Sequence, residues 1–462
     1  MTGLPLAAED VTVRRLLDGR LARRRFLLTG AAAAGLLAAG PALAELRIDV
    51  TKGFVSPMPI AIPDFFSSDG SQARVGQDLT GVIVADLERS GLFRPVDRSA
   101  FIQDSASLLQ GIRYGDWRLI NAEAVVAGYV NAAADGRLTI GFRLFDVYGE
   151  AQLTGFEYTT APANWRKVAH TIADAIYSRI TGEGGYFDTR IVYVAESGPK
   201  DRRVKRLAIM DQDGANHRFL TDGSTTVLSP RFSPTRQEIT YVAFPPQGGA
   251  RVYLFNLDSG QREVLGDFAG MSFAPRFSPD GNGVVLAVAR DGNSDVFYMD
   301  LRTRQLRQVT NHPGTDISPS FSPDGRQIVF DSDRSGTQQL YVMGADGSNP
   351  TRLTFGEGRY ATPVWSPRGD LIAFTRLYGG SFYVGVIRPD GTGERMLASD
   401  YRVEGPTWAP NGRVLSYFRQ SRSSAAGAYS SRIFTIDLTG YNERELVTPT
   451  DGSDPAWSPL NQ

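Results

Sequence analysis

Pro319-Ser-Phe-Ser-Pro-Asp-Gly325, followed closely by Gln327-Ile-Val-Phe-Asp-Ser332, decides how this chain folds. A short inner strand runs into a turn whose Asp-Gly pair tolerates positive φ, and a second strand leaves it. Gln339-Leu-Tyr-Val-Met343 supplies a third strand, Ala345-Asp-Gly347 another turn, and Thr351-Arg-Leu-Thr354 an outer strand, after which the chain must cross back inward. The same phrase begins at Pro230, Pro275, Pro319, Pro363, Pro406 and Pro455, with spacings of 45, 44, 44, 43 and 49 residues. That period, filled with β-branched and aromatic residues in period-two alternation, fits a four-stranded propeller blade and not a helical repeat.

The sixth copy, Pro455 to Pro459, brings an inner strand with no partners after it. Its missing strands are expected near the start of the repeat: Ile191 to Ser197 as second strand, Lys205 to Met210 as third, and Arg218 to Thr221 as outer strand. Pairing 191–221 with 454–459 closes a six-bladed ring over 189–462, which leaves few exposed sheet edges. The phrase aromatics Phe232, Phe277, Phe321, Trp365, Trp408 and Trp457 then pack between blades as core rather than as a ligand cage.

Upstream of the ring the pattern is mixed. Gly76 to Ser90 carries Leu79, Val82, Ile83 and Leu87 at helical spacing, with Gly91 as the stop. Ala124 to Val130 and Leu138 to Asp146 read as strands joined by the turn ending at Gly136, and Trp165 to Thr181 as an amphipathic helix. A small α/β domain over 65–186 is expected, joined to the propeller through a linker containing Gly182, Gly184, Gly185 and Asp188. Before it lies a segment, 45–64, in which Glu45 to Val50 alternates as a short strand and Pro57, Pro59 and Pro63 stiffen the remainder. Such an arm can dock or detach.

Residues 1–44 read as a cleavable export signal: basic residues ahead of Phe26 and Leu27, an Ala/Gly/Leu stretch, and Ala42-Leu43-Ala44 before Glu45. Arg23 and Arg24 fit a twin-arginine pair, although Ala22 and Leu28 depart from that pattern, so the export route stays open. Phe26 to Ala44 is also just about spanning length, but Pro41 and the small-residue cleavage site favour removal.

Composition narrows the chemistry. Lys plus Arg number 49 against 50 acids, and setting aside the six Arg and three acids of residues 1–44 takes the net charge from −1 to −4, with no basic surplus for nucleic acid. No cysteine is present, which excludes disulfides and thiolate nucleophiles. The three histidines, His170, His217 and His312, are scattered; no G-x-S-x-G, P-loop or G-x-G-x-x-G helix opening occurs, and no cofactor or metal is expected. Asp331, Asp333 and Arg334 could form a carboxylate pair with a clamp, and hydrogen bonding at strand ends explains them equally well. The loops from outer strand to next inner strand, 221–228, 266–273, 310–317, 355–361, 399–404 and 449–454, share one face and ring the channel mouth, where a rigid scaffold presents binding residues.

Export signal, N-terminal strand, small α/β domain and six P-x-[FW]-S-P-D-G-like phrases, taken together from Glu45 to Gln462, resemble the TolB family of Tol-Pal systems. The resemblance implies an α/β N-terminal domain followed by an all-β six-bladed β-propeller in the periplasm, monomeric and not an enzyme. It implies an adaptor between the inner-membrane Tol complex and the outer-membrane lipoprotein Pal, maintaining the outer membrane and aiding constriction at division, with other outer-membrane proteins as further partners. The arm residues Glu45, Leu46, Arg47, Ile48, Val50, Ile60 and Ile62 would bind the periplasmic domain of TolA as an added strand. Gly270, Met271, Asn311, His312, Thr315, Asp316, Arg359 and Tyr360 would meet Pal at the channel mouth. One departure is Asp64, which separates Pro63 from Phe65 where the family arm often has a Pro-Phe pair. The alternatives are a propeller hydrolase or lyase acting on glycan or peptide, and a ligand-binding propeller with the small domain as a spacer.

Overall fold

A computed structural model describes residues 11–16, 46–50, 56–199, 202–247, 249–267, 272–422 and 429–461. The chain divides into two compact units, one ending at Phe187 and the other running from Asp188 to Gln462.

The first unit is a sheet in the order β1-β6-β5-β4-β2-β3, with β1 Thr12–Arg15, β2 Met58–Ala61, β3 Phe93–Pro95, β4 Ala124–Ala132, β5 Leu138–Asp146 and β6 Ala151–Thr160. Helix α1, Ala73–Arg89, buries Leu79, Val82, Ile83 and Leu87, and Gly91 ends it in the left-handed region at φ 73°. Short helices α2, Ser105–Gln110, and α3, Tyr114–Leu119, come next, and α4 spans Trp165–Thr181, stopped by left-handed Gly182. The helices α1 and α4 are tied at their buried faces by Asp86 Oδ2 and His170 Nδ1, 2.5 Å apart, so His170 is a core residue here. Within the span read as an export signal, β1 is a strand: it pairs antiparallel with β6, setting Arg14 opposite Glu157. Arg23, Arg24 and the Ala42-Leu43-Ala44 site lie outside the described residues. Among the described residues no helix is long and apolar enough to cross a membrane.

The expected arm, 45–64, divides. Residues 46–50 form no strand, whereas β2 lies between β3 and β4 and pairs parallel with both, Ile60 facing Pro95 and Ala124. Ile60 and Ile62 are fully or almost fully buried, so from Met58 onward this segment belongs to the domain and cannot detach without opening the sheet. The run of apolar residues around Ile60 is that of a strand covered on both faces. Asp64 stays on the surface, its carboxylate 2.7 Å from Arg98 Nη1.

The second unit is the six-bladed propeller, each blade a four-stranded antiparallel sheet. Blades 1 to 5 begin with inner strands Thr226–Phe232, Ser272–Phe277, Asp316–Phe321, Arg359–Trp365 and Arg402–Trp408. Blade 6 is composite: Asp451–Trp457 pairs with Arg190–Ser197, which pairs with Val204–Asp211 and then Arg218–Phe219. The phrase aromatics do pack between blades. Phe277 joins Val252 of the blade before it, Trp365 joins Val329, and Trp408 joins Val364, whose carbonyl accepts from Trp408 Nε1 at 3.0 Å. Each such ring contributes about 2–3 kcal/mol by area removed from water.

The phrase proline does more than mark the repeat. Without an N–H it cannot donate to the ladder, and the register slips at this point in all six inner strands, for example between Leu228 and Arg231 and between Ile317 and Ser320. The residue before it turns left-handed: Ser229, Ser318, Thr362, Gly405 and Asp454 have φ between 48° and 67°. Four of these five carry a side chain that the left-handed region disfavours. An added Cβ at Gly405 would meet its nearest atom, on Phe418, at 3.6 Å, so there is room for it. Gly405→Ala should therefore cost only the conformational term, about 1 kcal/mol, read as a lower midpoint in urea unfolding; a loss above about 3 kcal/mol would mean a clash that this geometry lacks.

Candidate functional site

The channel-mouth loops are held by a recurring device. Where the outer strand ends, a threonine side chain takes the place of the next ladder partner: Leu207, Val296 and Leu340 donate their backbone N–H groups to Thr221, Thr310 and Thr354 Oγ1, each at 2.9 Å. This anchors the root of three loops to the third strand of their own blades, and the period of Thr at the outer-strand end is visible in the sequence once the blades are aligned.

The loop through His312 is the most fully bonded case. His312 N–H donates to Asp295 Oδ1 at 3.3 Å, its carbonyl accepts from Asn293 Nδ2 at 2.6 Å, and its Nδ1 accepts from Gly314 N–H at 2.9 Å. The last bond leaves Nδ1 without a proton, so the neutral ring carries its hydrogen on Nε2. Thr315 N–H donates to Asp333 Oδ1 at 2.8 Å, and Arg334 Nη2 donates to the fully buried Asp316 at 2.7 Å. Arg334 also lies over the rings of Phe330 and Tyr341, which fixes its guanidinium in place. Asp333 and Arg334 therefore pin this loop to the blade rather than forming a carboxylate pair with a clamp.

Asp331 is fully buried one strand away, accepting from Gln338 Nε2 at 2.5 Å and from Thr362 N–H at 3.2 Å. Burial pushes its carboxyl up to about 7, with the Asp316 charge adding to the effect and the bond from Gln338 opposing it. Asp331 thereby ties blade 3 to Thr362, the residue preceding the phrase of blade 4, while Asp316 is held by Arg334 of its own blade, a structural role for each.

Of the eight mouth residues read from the sequence, Asn311 and Arg359 are exposed, and His312 and Thr315 are half-buried. Asp316 and Tyr360 are buried, Tyr360 with its hydroxyl donating to Glu394 Oε1 at 2.8 Å. These two support the loops and offer no surface; strand alternation carries Tyr360 inward while its neighbour Arg359 points out. Gly270 and Met271 lie outside the described residues. Of the arm residues, Glu45 lies outside them as well, Leu46 is half-buried and Arg47 exposed. Ile48 and Val50 are buried, and Ile48 N–H donates to the carbonyl of Ile180 at 3.0 Å, near the end of α4. This backbone bond and the two buried apolar side chains help to seat the stretch.

Residues 46–153 match the family described as TolB amino-terminal domain, and residues 177–461 match the TolB beta propeller domain. The chain belongs to the TolB family. A Tol-Pal system protein TolB from Paramagnetospirillum magneticum is 63% identical over 427 residues, covering 92% of this chain and 95% of that protein. The crystal structure of TolB from Acinetobacter baumannii is 28% identical and superposes with a TM-score of 0.77, covering 90% of this chain and all of that one. The TolB assignment thus rests on both units, and with it the six-bladed propeller behind a separate α/β domain expected from the repeat.

The buried carboxyl of Asp331 should make the stability of this TolB-family propeller depend on pH. Its folded-state pKa stands above its unfolded value of 3.8, so between roughly pH 4 and 7 the folded protein holds a proton that the unfolded chain has released. The group's contribution to stability falls as pH rises through that window and is level above it. Asp331→Asn should therefore gain stability relative to the native chain at pH 8 and lose that advantage at pH 4, measured as urea midpoints; a difference independent of pH would contradict the raised pKa.

Proposed function

We propose that the protein is a non-catalytic periplasmic adaptor of a Tol-Pal-type envelope system, joining the inner-membrane TolA to the outer-membrane lipoprotein Pal and serving outer-membrane integrity and division. The observation that carries this reading is the 63% identity to a Tol-Pal system protein across both units. The mouth loops suit a protein partner, because their side chains are polar, partly exposed and backed by a rigid ring. The arm suits a strand-adding partner, because residues 46–50 form no strand and lie ahead of β2 rather than within the sheet. Ile48 and Val50 would leave their apolar seats when the arm is taken up, so a partner that favours the docked arm opposes TolA binding by linkage.

The enzyme alternative gains no support from the residues at the mouth. Asp331, Asp333 and Arg334, the carboxylates and clamp closest to a catalytic arrangement, are occupied in holding loops and strands together.

Calorimetric titration with the globular domain of Pal and the periplasmic domain of TolA from the same organism tests the proposal. Asn311→Ala and Arg359→Ala should both weaken Pal binding, with the arginine, a residue type enriched among binding hot spots, giving the larger loss of about 1 kcal/mol or more. Tyr360→Phe should leave Pal affinity unchanged while lowering stability, since its hydroxyl is spent on Glu394. Removing residues 45–50 should abolish TolA binding and spare Pal. No heat with either partner, from a chain that is folded by circular dichroism, would overturn the adaptor reading.

A further inference from the structure

The second residue of the phrase, the x of P-x-[FW], points into the central channel. Around the ring these positions are Arg231, Arg276, Ser320, Val364, Thr407 and Ala456, and together with the phrase aromatics they line a cavity of about 330 Å³. Four of the six are small or neutral, and the two arginines sit on neighbouring blades. Ser320 and Thr407 already use their hydroxyls as acceptors for the backbone N–H groups of Trp365 and Trp457, at 3.2 and 3.3 Å. The indole N–H groups of Trp365, Trp408 and Trp457 are likewise bonded within the fold. The polar groups left to act on the cavity are the two guanidinium groups.

Neither has a carboxylate within ion-pair distance among the described residues. Arg231 donates to the carbonyl of its own neighbour Pro230, at 2.6 Å, and Arg276 has no hydrogen-bond acceptor among the described residues. The Nε atoms of both are buried without an acceptor. Asp454 exerts a favourable field on Arg231 from a distance, whereas the charge of Arg231 adds to desolvation in lowering the affinity of Arg276 for its proton. By contrast, the buried Arg413 is matched by Asp437 at 2.7 Å. Two half-buried like charges that act on each other are unfavourable unless an anion compensates them.

We propose that the channel of this propeller is a binding site for a small organic carboxylate, its carboxylate held between the Arg231 and Arg276 guanidinium forks and its apolar body lying against the half-buried rings of Phe232 and Phe321. A guanidinium matches a carboxylate through two parallel N–H···O bonds, and aromatic walls favour a ligand with an apolar body over a free inorganic anion. The cavity lies toward the ends of the inner strands, away from the loops that lead into them, so it is distinct from the mouth proposed for Pal and stands or falls independently of that reading.

The test uses the full chain in a low-salt buffer, with ionic strength balanced by chloride, and measures the unfolding temperature and titration heat on adding benzoate or inorganic phosphate. The expected result is saturable stabilisation by benzoate, with affinity reduced about tenfold or more in Arg276→Gln and in Arg231→Gln, as loss of a charge-assisted pair implies. Without ligand, Arg276→Gln should unfold at a higher temperature than the native chain at low salt, because the like-charge repulsion is gone, and this also shows that the variant is folded. Stabilisation by phosphate alone would overturn the carboxylate assignment. No response to either anion beyond the chloride control, or an undiminished response in both variants, would overturn the site.

Discussion

The pairing of Asp451–Trp457 with Arg190–Ser197 is the interaction on which the rest depends. It joins residues more than 250 positions apart: Ser453 Oγ donates to Glu196 Oε1 at 2.5 Å, and Trp457 Nε1 to Thr189 Oγ1 at 2.8 Å. Without it the ring would present two open sheet edges, and the interblade aromatics at the seam would lose one wall. A closed ring also fixes the six mouth loops relative to one another, which an open stack of blades would not.

The loops use that rigidity in a particular way. Threonines at the outer-strand ends, the Asp295 and Asn293 bonds around His312, and the Arg334–Asp316 pair all anchor loop backbone to the blade beneath. The side chains left exposed, Asn311 and Arg359 above all, are presented on a surface that loses little entropy when a partner lands on it. The arm is a different case: residues 46–50 take no part in any strand, and its docking buries Ile48 and Val50.

Most of the fold was legible because the repeat is. Six phrases at near-constant spacing set blade number and closure, and Gly91 marked the end of α1 through the left-handed conformation only glycine adopts easily, whereas Gly182, read as part of the linker, proves to cap α4 in the same way. The bulge at each phrase proline was less legible, because the residue before it is mostly Ser, Thr or Asp rather than Gly, and nothing local predicts a left-handed turn there. The arm was over-extended for a related reason: the prolines around Ile60 read as a stiff tether, yet Pro59 sits within a short strand that has a partner on each side. At the site, alternation along the strand, which would have separated exposed Arg359 from buried Tyr360, was not applied to them, and Asp316 at the start of its strand gives no sign in sequence that an arginine eighteen positions on will bond it where it is buried. The charge in the channel was equally hard to read, since Arg231 and Arg276 matter only once the x position is known to face inward.

The most direct measurement is scanning calorimetry of a chain ending at Thr450, which removes the closing strand and nothing of blades 1 to 5. If closure governs the ring, the propeller's cooperative transition disappears or falls far below that of the intact chain, while a transition of the N-terminal unit survives. A truncated chain that unfolds at the original temperature, with the original enthalpy, would show that five blades are stable alone and that the seam is incidental.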